Sequence, residues 1–410
     1  MDPRTGLPVV GMVGAGQLAR MTHQAAIALG QSLRILADSA DDGAAVVATD
    51  VVVGDYRDLD DLRAFAEGCD VVTWDHEHVP NEHIVALREA GVSVHPGPEA
   101  LHYAQDKAAM RARVAQLCSE SAGAGRGIDS PRWTDLTADS DPSAALVAFG
   151  AEVGWPLVLK ASRGGYDGKG VWVVDSAADA AEVLASGTPL LAEEKVSIKR
   201  ELAADVARSP FGQVAAWPVV ETVQRDGINV EVIAPAPGLD PELAARAQHF
   251  AITLASELGV TGVLAVELFE TTDGRLLVNE LAMRPHNSAH WTIEGSRTSQ
   301  FEQHVRAVLD YPLGTTEQTA PVVVMANLLG GPHNLLAPQA SPREDVTPKS
   351  LDERIHHTMA RWPDVKIHLY GKGMRPGRKV GHVTALGTSL EDVRARAVAA
   401  ADYLMNGERS

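Results

Sequence analysis

The chain has 410 residues, of which 45% are hydrophobic and 22% are charged. These proportions are ordinary for a globular protein, and the length predicts two to three domains. The net charge of −18 argues against a nucleic-acid surface and against binding to anionic membranes. Two cysteines, Cys69 and Cys118, are too few for a disulfide framework or a cysteine-rich metal site. With no visible signal peptide and no apolar run of about 18 residues, we expect a cytoplasmic protein.

The first third of the chain alternates short apolar segments with helical patterns. Val9–Val13 predicts a strand, and the helix after it extends to about Leu29. Further strands are predicted at Leu33–Ala37, Val46–Val53 and Val71–Trp74. This alternation predicts a doubly wound, Rossmann-like parallel sheet of the α/β class. A helix at Asp106–Leu117 and a linker at Ser119–Ser130 would end this first domain, residues 1–130.

Two further units follow. Residues 131–208 are expected to form a small α+β unit, with strands at Trp155–Lys160, Val171–Val174 and Leu190–Lys195 and a helix at Ala177–Ser186. Residues 209–410 form the last unit, with strands predicted at 214–220 and 229–233, helices at 241–258 and 300–309, and a hairpin at 264–283.

The first strand-to-helix turn reads Gly14-x-Gly16-x-x-Ala19, with Asp38 about twenty residues further on. The pattern matches the dinucleotide fingerprint, although glycines here let the backbone approach any anion. Gln17 at the tip of this turn indicates a polar contact. The alternative is that the glycines only permit a tight turn. Asp75–His78, at the carboxyl end of a strand, also lies where ligands bind in open sheets, but zinc there would need another convergent ligand.

A second glycine-rich segment, Gly164–Gly170, joins two predicted strands. Its backbone N–H groups could surround a polyphosphate, and Lys160 on the preceding strand could reach the same phosphates. The alternative is a flexible turn. Glu193–Val196 ends the next strand, where exposed backbone groups and an acid suit an adenine edge and a ribose hydroxyl.

The segment Leu264–Met283 predicts a hairpin, because Asp273-Gly274 is a preferred two-residue turn. That turn would pair Phe269 with Val278, Leu268 with Asn279, and Glu267 with Glu280. Directly opposed Cβ atoms lie about 5 Å apart, so the two carboxylates would repel each other without a proton or a cation between them. Such an oxygen pair suits Mg²⁺. The rest of the face is expected to be apolar, with Ala265, Phe269, Leu276 and Val278. The alternative is two solvated glutamates.

Cationic groups cluster in two later segments. Arg284–Trp291 directly follows Glu280, and Lys372–Lys379 places four cations within an acidic chain. Arginine forks and lysine charges together suit a terminal phosphate. The alternative for the second segment is a solubilising surface patch.

The order of GAGQL, GGYDGKG, VELF, NELAMRPHNSAHW and YGKGMRPGRKVGH resembles that of ATP-grasp enzymes. Over nearly the whole chain it resembles the N5-carboxyaminoimidazole ribonucleotide synthetase family of purine biosynthesis. The resemblance implies an ATP-grasp fold with a preATP-grasp domain, a central lid and a C-terminal domain, usually in a homodimer. It also implies a reaction in which ATP, bicarbonate and 5-aminoimidazole ribonucleotide give ADP, phosphate and the N5-carboxylated product.

The resemblance also implies site residues. The ATP contacts would be Lys160, Gly165, Tyr166, Asp167, Gly168, Lys169, Gly170, Val171, Glu193, Glu194, Lys195, Val196, Glu201, Gln224, Asn279 and Glu280. The ribonucleotide contacts would be Gln17, Leu18, Asp75, Tyr166, Arg284, His286, Asn287, Lys372, Arg378 and Lys379. Mg²⁺ would be held by Glu267 and Glu280. The catalytic residues would be Asp167, Arg284 and Lys372, with Asp167 handling the protons of the exocyclic amine.

Some positions depart from the family pattern. Asp75 stands where Glu is usual, and Gln224 replaces a common His. Tyr103, four residues before Lys107, stands where relatives often carry an ATP-contacting Arg. Two other activities remain as alternatives. One is the formate-dependent glycinamide ribonucleotide formyltransferase of the same fold, and the other is a nicotinamide-dependent oxidoreductase that would use the Gly14–Asp38 pattern. A third alternative is a non-catalytic nucleotide sensor.

Overall fold

The computed structural model describes residues 1–120, 128–165, 169–330 and 350–407. The chain starts with β1 (Val9–Val13), α1 (Gln17–Ala28), β2 (Ser32–Ala37), β3 (Asp50–Val53), α2 (Leu59–Ala66), β4 (Val71–Trp74) and α3 (Asn81–Glu89). The four strands are parallel in the order β3-β2-β1-β4, which confirms the doubly wound sheet. One strand is shorter than predicted, because the backbone from Ala44 to Ala48 turns back on itself and pairing begins only at Asp50.

Two helices lead out of this sheet, α4 (Pro98–Gln105) and α5 (Lys107–Glu120). Next come β5 (Ile128–Asp129), β6 (Trp133–Asp135), α6 (Pro142–Val153), β7 (Leu157–Ala161), β8 (Val171–Val174), α7 (Ala181–Ala185) and β9 (Leu190–Glu194). Strands β6, β9, β7 and β8 form a small antiparallel sheet in that order. Leu146 of α6 and Leu159 of β7 belong to its separate hydrophobic core.

The rest of the chain builds a large sheet. Its elements are β10 (Ile198–Arg208), β11 (Val214–Ala216), β12 (Val220–Arg225), β13 (Ile228–Ala234), α8 (Pro241–Glu257), β14 (Gly262–Thr271), β15 (Leu276–Ala282), α9 (Thr292–Gly295), α10 (Gln300–Val308), β16 (Val322–Leu329), α11 (Leu351–Arg361), β17 (Lys366–Leu369), β18 (Lys379–Gly387) and α12 (Leu390–Asn406). The strand order is β17-β18-β16-β13-β12-β10-β14-β15-β5, with β11 beside β10. The strand predicted at 214–220 ends early, because β11 stops at Ala216 and only Val220 of that range belongs to β12.

One hydrophobic core joins the first sheet to the large one. It includes Trp74 of β4, Leu101 of α4, Val114 of α5, Leu254 of α8 and Leu268 of β14, all buried. The two sheets are therefore held together by packing on one face of the β14–β15 hairpin, and Glu267 lies on the opposite face. No helix in the described part of the chain is long and apolar enough to cross a membrane.

The hairpin differs from its predicted register in an informative way. Its loop has three residues, because Thr271 and Arg275 close it with a 2.9 Å hydrogen bond from the Thr271 N–H to the Arg275 carbonyl. The pairs near the turn are therefore Phe269 with Leu277 and Leu268 with Val278, and the predicted pairs Phe269–Val278 and Leu268–Asn279 were wrong. A β-bulge at Asn279 then restores the predicted pairing of Glu267 with Glu280.

The domain boundaries at residues 130/131 and 208/209 remain predictions. The short strand β5 pairs with β15, although the linker was predicted to extend through it, and residues 121–127 of that linker lie outside the described residues. Strand β10 pairs with β12 and β14 of the large sheet. We therefore propose that the central unit ends near residue 196, before β10 begins.

Candidate active site

The paired carboxylates of Glu267 and Glu280 lie on a polar surface of the hairpin. The Lys107 ammonium, at the start of α5, forms an ion pair with Glu280, and the His286 ring nitrogen Nε2 lies 3.2 Å from Glu267 Oε1. The side-chain amide of Asn279 donates to Glu267 Oε2 at 3.4 Å. The expectation of an apolar surface was wrong, because the bulge turns Asn279 toward the glutamates while Val278 stays buried in the core.

The charge of Glu267 is stabilised by its surroundings. Burial raises the pKa of this carboxyl, but the hydrogen bond from His286, together with the electrostatic influence of His286, Lys379 and Lys107, outweighs burial and brings the pKa below its usual range. Glu201 lies on the same face of the sheet, since β10 pairs Glu201 with Phe269 and Ala203 with Glu267. Burial and the nearby Glu267 charge raise the pKa of Glu201 to about 7. The site therefore combines one firmly ionised acid with one that is readily protonated.

A buried ion-pair network lies beside this face. The side chains of Arg111 in α5 and Glu193 in β9 are only 1% and 3% exposed. The Arg111 Nη2 atom lies 2.7 Å from Glu193 Oε1. Lys160 of β7 contacts Glu193 Oε2 at 2.8 Å and donates to Asn279 Oδ1 at 3.1 Å. Burial lowers the pKa of Lys160, and the Glu193 charge offsets only part of that shift. The Glu193 carboxylate thus binds two cations, so only the backbone of Glu193 would be available to contact an adenine ring.

Arg111 also fixes the bulge itself. Its guanidinium donates to the carbonyl oxygens of Val278 and Asn279 at 2.7 and 2.8 Å. The bulge leaves these carbonyls without regular ladder partners, and a charged donor satisfies them. The position of the Asn279 amide between Lys160 and Glu267 therefore depends on a residue of α5.

The glycine-rich segment is described only in part. A side chain on Gly165 would meet the Lys169 carbonyl oxygen at 2.8 Å, and Gly170 has a φ of 74°. The Ala161 N–H donates to the Gly170 carbonyl at 2.8 Å, which anchors the segment to β7 beside Lys160. Val171 begins β8 as predicted. The predicted sites Tyr166, Asp167 and Gly168 lie outside the described residues.

The glycine turn after β1 holds an aspartate. The Gly16 N–H donates to Asp75 Oδ2 at 2.6 Å, and a Cβ on Gly14 would lie 1.8 Å from Asp75 Oδ1. The Asp75 carboxylate thus takes the place at the start of α1 where a dinucleotide pyrophosphate would bind. This arrangement argues against the nicotinamide-dependent alternative. It also engages Asp75 within the protein.

The predicted ribonucleotide residues approach from opposite ends of the sequence. Lys372, in the loop after β17, donates to Gln17 Oε1 of α1 at 2.8 Å. Arg284 lies 3.3 Å from Glu77, whose carboxylate also accepts the Met283 N–H at 2.6 Å. The basic loop thus contacts the first turn of α1, and Arg284 is held by Glu77 just after β4.

Other predicted contacts have partners inside the protein. The amides of Asn287 and Asn327 bond to each other at 2.7 and 3.0 Å. Leu18 is buried with Phe301 and Tyr370 in a small cluster. Gln224 lies at an irregularity of β12, opposite Asn229. Among the other predicted ATP contacts, Glu194 accepts the Arg132 N–H at 2.9 Å, and Lys195 and Val196 lie between β9 and β10. Among the predicted ribonucleotide contacts, Arg378 donates to the Gly373 carbonyl at 3.3 Å, and Lys379 begins β18 near Glu267.

The sequence reasoning missed four residues of this region. They are Glu77, Lys107, Arg111 and Asp205. The resemblance put Tyr103 where relatives often carry an ATP-contacting Arg, but Tyr103 packs against the core. Lys107, one turn later, forms an ion pair with Glu280. The spacing of Lys107 and Arg111, one helical turn apart, was a usable signal for a shared face. Nothing in the local sequence around Asp205 indicated its contacts.

Among the described residues, no group of three or more His, Cys, Asp or Glu side chains could hold a metal ion alone. Mg²⁺ does not need one, since it is usually bound by one or two carboxylates together with substrate phosphates. Glu267 and Glu280 are two such oxygen donors, and each already contacts a cationic or hydrogen-donating side chain. The donor set therefore fits Mg²⁺.

The fold and the site together define an ATP-grasp enzyme. The ATP-grasp domain family matches residues 123–301, the ribonucleotide synthetase preATP-grasp domain matches residues 7–105, and the phosphoribosylaminoimidazole carboxylase C-terminal domain matches residues 323–396. The N5-carboxyaminoimidazole ribonucleotide synthase of Mycobacterium tuberculosis is 57% identical over 404 residues, which cover 98% of this chain and 88% of the relative. The chain belongs to the N5-carboxyaminoimidazole ribonucleotide synthase family.

Other relatives agree. The synthase of Corynebacterium ammoniagenes is 48% identical over 409 residues, covering 98% of this chain and 93% of that protein. The crystal structure of the Thermus thermophilus synthetase is similar with a TM-score of 0.81 at 34% identity, covering 97% of this chain and 98% of the other. The Aspergillus clavatus synthase in complex with ADP and 5-aminoimidazole ribonucleotide has a TM-score of 0.81 at 30% identity and the same coverage.

Proposed function

We propose that this enzyme carboxylates 5-aminoimidazole ribonucleotide at N5, with ATP and bicarbonate as co-substrates, in purine biosynthesis. The observation that carries the proposal is the opposition of Glu267 and Glu280 beside Lys160 and Lys107. This surface combines carboxylates for a cation with ammonium groups for phosphates. The family relatives named above carry the same activity in their names.

ATP would bind between the small sheet and the hairpin. Lys160, Lys107 and the backbone of the glycine-rich segment would contact its phosphates, and the end of β9 would contact the adenine. Glu267 and Glu280 would hold Mg²⁺, which when bound neutralises charge on the transferred phosphoryl group. Lys160 stays close to this charge because Glu193 and Asn279 fix its ammonium.

The ribonucleotide would bind where the basic loop meets the first sheet. Lys372, Arg378 and Lys379 suit its phosphate. Gln17 would lie beside Lys372, from whose ammonium it accepts a hydrogen bond, and Arg284 would contact another part of the ribonucleotide. A bicarbonate oxygen attacks the γ-phosphorus, ADP leaves, and carboxyphosphate remains. The exocyclic amine then attacks either this mixed anhydride or the CO₂ released from it, and phosphate leaves. Asp167 is our candidate to accept the proton of the amine.

Two further properties are proposed from the resemblance. The enzyme acts as a homodimer, which sedimentation of the purified protein would test. It works in the cytoplasm, in keeping with its two free thiols, Cys69 and Cys118.

An assay of ADP formation with single omissions tests the function. ADP should form only when ATP, bicarbonate and 5-aminoimidazole ribonucleotide are all present. ADP release with formate and glycinamide ribonucleotide instead would favour the formyltransferase. Bound ATP that survives the complete mixture would favour a nucleotide sensor.

A further inference from the structure

A buried aspartate lies behind the candidate metal site without a role in the chemistry above. Asp205 is in β10, one of the central strands of the large sheet, and is only 1% exposed. Its strand neighbour across β14 is Ala265, and Ala203, Val263 and Trp217 belong to the hydrophobic cluster on this side of the sheet. Burial of a carboxylate among such groups is costly unless it is paired or well hydrogen-bonded. Stability alone therefore gives no reason for an acid here.

The contacts of Asp205 lead toward the candidate metal ligand. The Ser288 hydroxyl lies 2.9 Å from Asp205 Oδ1 and 3.2 Å from Oδ2. The same hydroxyl oxygen lies 2.8 Å from His286 Nδ1. The other ring nitrogen, His286 Nε2, lies 3.2 Å from Glu267 Oε1. Four side chains thus form one continuous chain of hydrogen-bonding contacts from the middle of the sheet to Glu267.

The backbone of His286 is already fixed by other groups. Its N–H donates to Gln300 Oε1 and its carbonyl accepts from Gln300 Nε2, both at 2.7 Å. These bonds locate the Cα, and the ring is then held at its two nitrogens: Nε2 lies beside Glu267, and Nδ1 lies 2.8 Å from the Ser288 hydroxyl and 3.4 Å from the Ser288 backbone nitrogen. Ring orientation then depends on Nδ1, and hence on Ser288.

Asp205 determines which way the Ser288 hydroxyl points. A serine hydroxyl has one hydrogen and two lone pairs, and it rotates to suit its neighbours. When the hydrogen is directed to Asp205, the lone pairs face His286 Nδ1. Without the Asp205 carboxylate, the Ser288 hydroxyl can adopt several orientations, and it no longer holds the His286 ring in one position.

We propose that Asp205 is a positioning residue that acts through Ser288 to orient the His286 ring, and thereby holds the Glu267 carboxylate in the geometry that binds the metal ion. Partners of this kind, one step removed from a metal ligand, typically change metal affinity about 10–100-fold when they are lost. The inference rests on the proposed metal role of Glu267. The inference adds Asp205, a residue of β10, to the groups that would hold the metal ligand Glu267 of β14 in place.

The test measures binding of Mn²⁺ to the full-length enzyme in the presence of ADP, by the electron paramagnetic resonance signal of free Mn²⁺. Asp205→Leu should weaken Mn²⁺ at least about tenfold. Asp205→Asn should stay within about threefold of the parent enzyme, because its amide oxygen still accepts the Ser288 hydrogen bond. In urea, Asp205→Leu should unfold at the same concentration as the parent enzyme or a higher one, since the leucine matches its apolar neighbours.

A second variant reaches the same chain from the other side. Ser288→Ala should weaken Mn²⁺ binding as much as Asp205→Leu does, and the double variant should bind no more weakly than either single one, because each change interrupts the same chain of contacts. Should Asp205→Leu fail to fold, Ser288→Ala alone decides the question.

Three results would overturn the inference. One is unchanged Mn²⁺ affinity in Asp205→Leu or Ser288→Ala. A second is a parallel loss of stability and affinity in Asp205→Leu and Asp205→Asn, which would mark a merely structural residue. A third is full additivity of the two changes. Glu280→Gln serves as the reference, because retained Mn²⁺ affinity in that variant would reject the metal site itself.

Discussion

The Lys372 ammonium donates a hydrogen bond to the side-chain oxygen of Gln17, 2.8 Å away, although the two residues are 355 positions apart in the chain. This contact joins the basic loop of the large sheet to the first turn of α1. It places a cation from one end of the sequence beside a polar side chain from the other. The proposed ribonucleotide site would therefore draw on both ends of the chain.

Replacement of this lysine should affect one substrate selectively. Lys372→Met removes a charged donor, so the KM for 5-aminoimidazole ribonucleotide should rise about 10–100-fold, which corresponds to roughly 1.5–3 kcal/mol. The KM for ATP should change less than about twofold. Steady-state kinetics with each substrate varied in turn provide the measurement. Lys366→Met, on the exposed start of β17, is the matched control, and equal effects on both substrates would contradict the assignment.

Neutralisation of Glu280 should abolish most of the turnover without unfolding the protein. Glu280→Gln keeps the shape of the side chain but removes one of the two carboxylates, so the kcat should fall at least about 100-fold. The urea midpoint should be close to that of the parent enzyme, since Glu280 is not in the core. Glu257→Gln, at the end of α8, is a control for the loss of a negative charge. Normal turnover in Glu280→Gln would remove the metal assignment.

The buried ion pair predicts a large loss of stability. Arg111→Met would leave Glu193 buried beside Lys160 with one cation fewer, and would leave two bulge carbonyls without their donor. The free energy of unfolding should fall by about 3–5 kcal/mol. Arg113→Met on the same helix removes a more exposed ion pair with Glu257 and should cost less than about 1 kcal/mol. Equal losses in chemical denaturation would contradict a special role for Arg111.

Stability should also depend on pH through Glu201. Its pKa rises from 4.5 to about 7 in the folded protein, so between these values the folded state binds more protons than the unfolded state. The contribution of Glu201 to stability therefore falls as the pH rises from about 4.5 to 7. Glu201→Gln should reduce this decline in urea midpoints measured without nucleotide. If the variant shows the same pH dependence of stability as the parent enzyme, that dependence comes from a group other than Glu201.

Local pattern was enough to predict much of the fold. Buried strands such as Val9–Val13 and the helix after them follow from periodicity. The Glu267–Glu280 pairing was also predicted correctly, although its turn was not. The bulge at Asn279 did not, because two errors compensate: a loop one residue longer than predicted and an extra residue in β15. Only the tertiary contacts of Arg111 show why the extra residue is stable there.

The partners of the site residues were harder to predict. Lys107 and Arg111 lie on a helix between two domains, and their acids come from strands 82 or more residues away. Asp75 stays a predicted substrate contact, and its carboxylate also accepts the Gly16 N–H, a contact that depends on the parallel placement of β1 and β4. Such contacts follow from the three-dimensional packing, which short-range sequence patterns do not encode.

Anomalous diffraction from crystals grown with Mn²⁺ and ADP would test the central claim directly. The account predicts a strong Mn²⁺ peak within coordination distance, about 2.0–2.3 Å, of a carboxylate oxygen from both Glu267 and Glu280 and next to a phosphate oxygen of ADP. A peak bound by other residues, or carboxylates turned away from an ion at the phosphates, would contradict it.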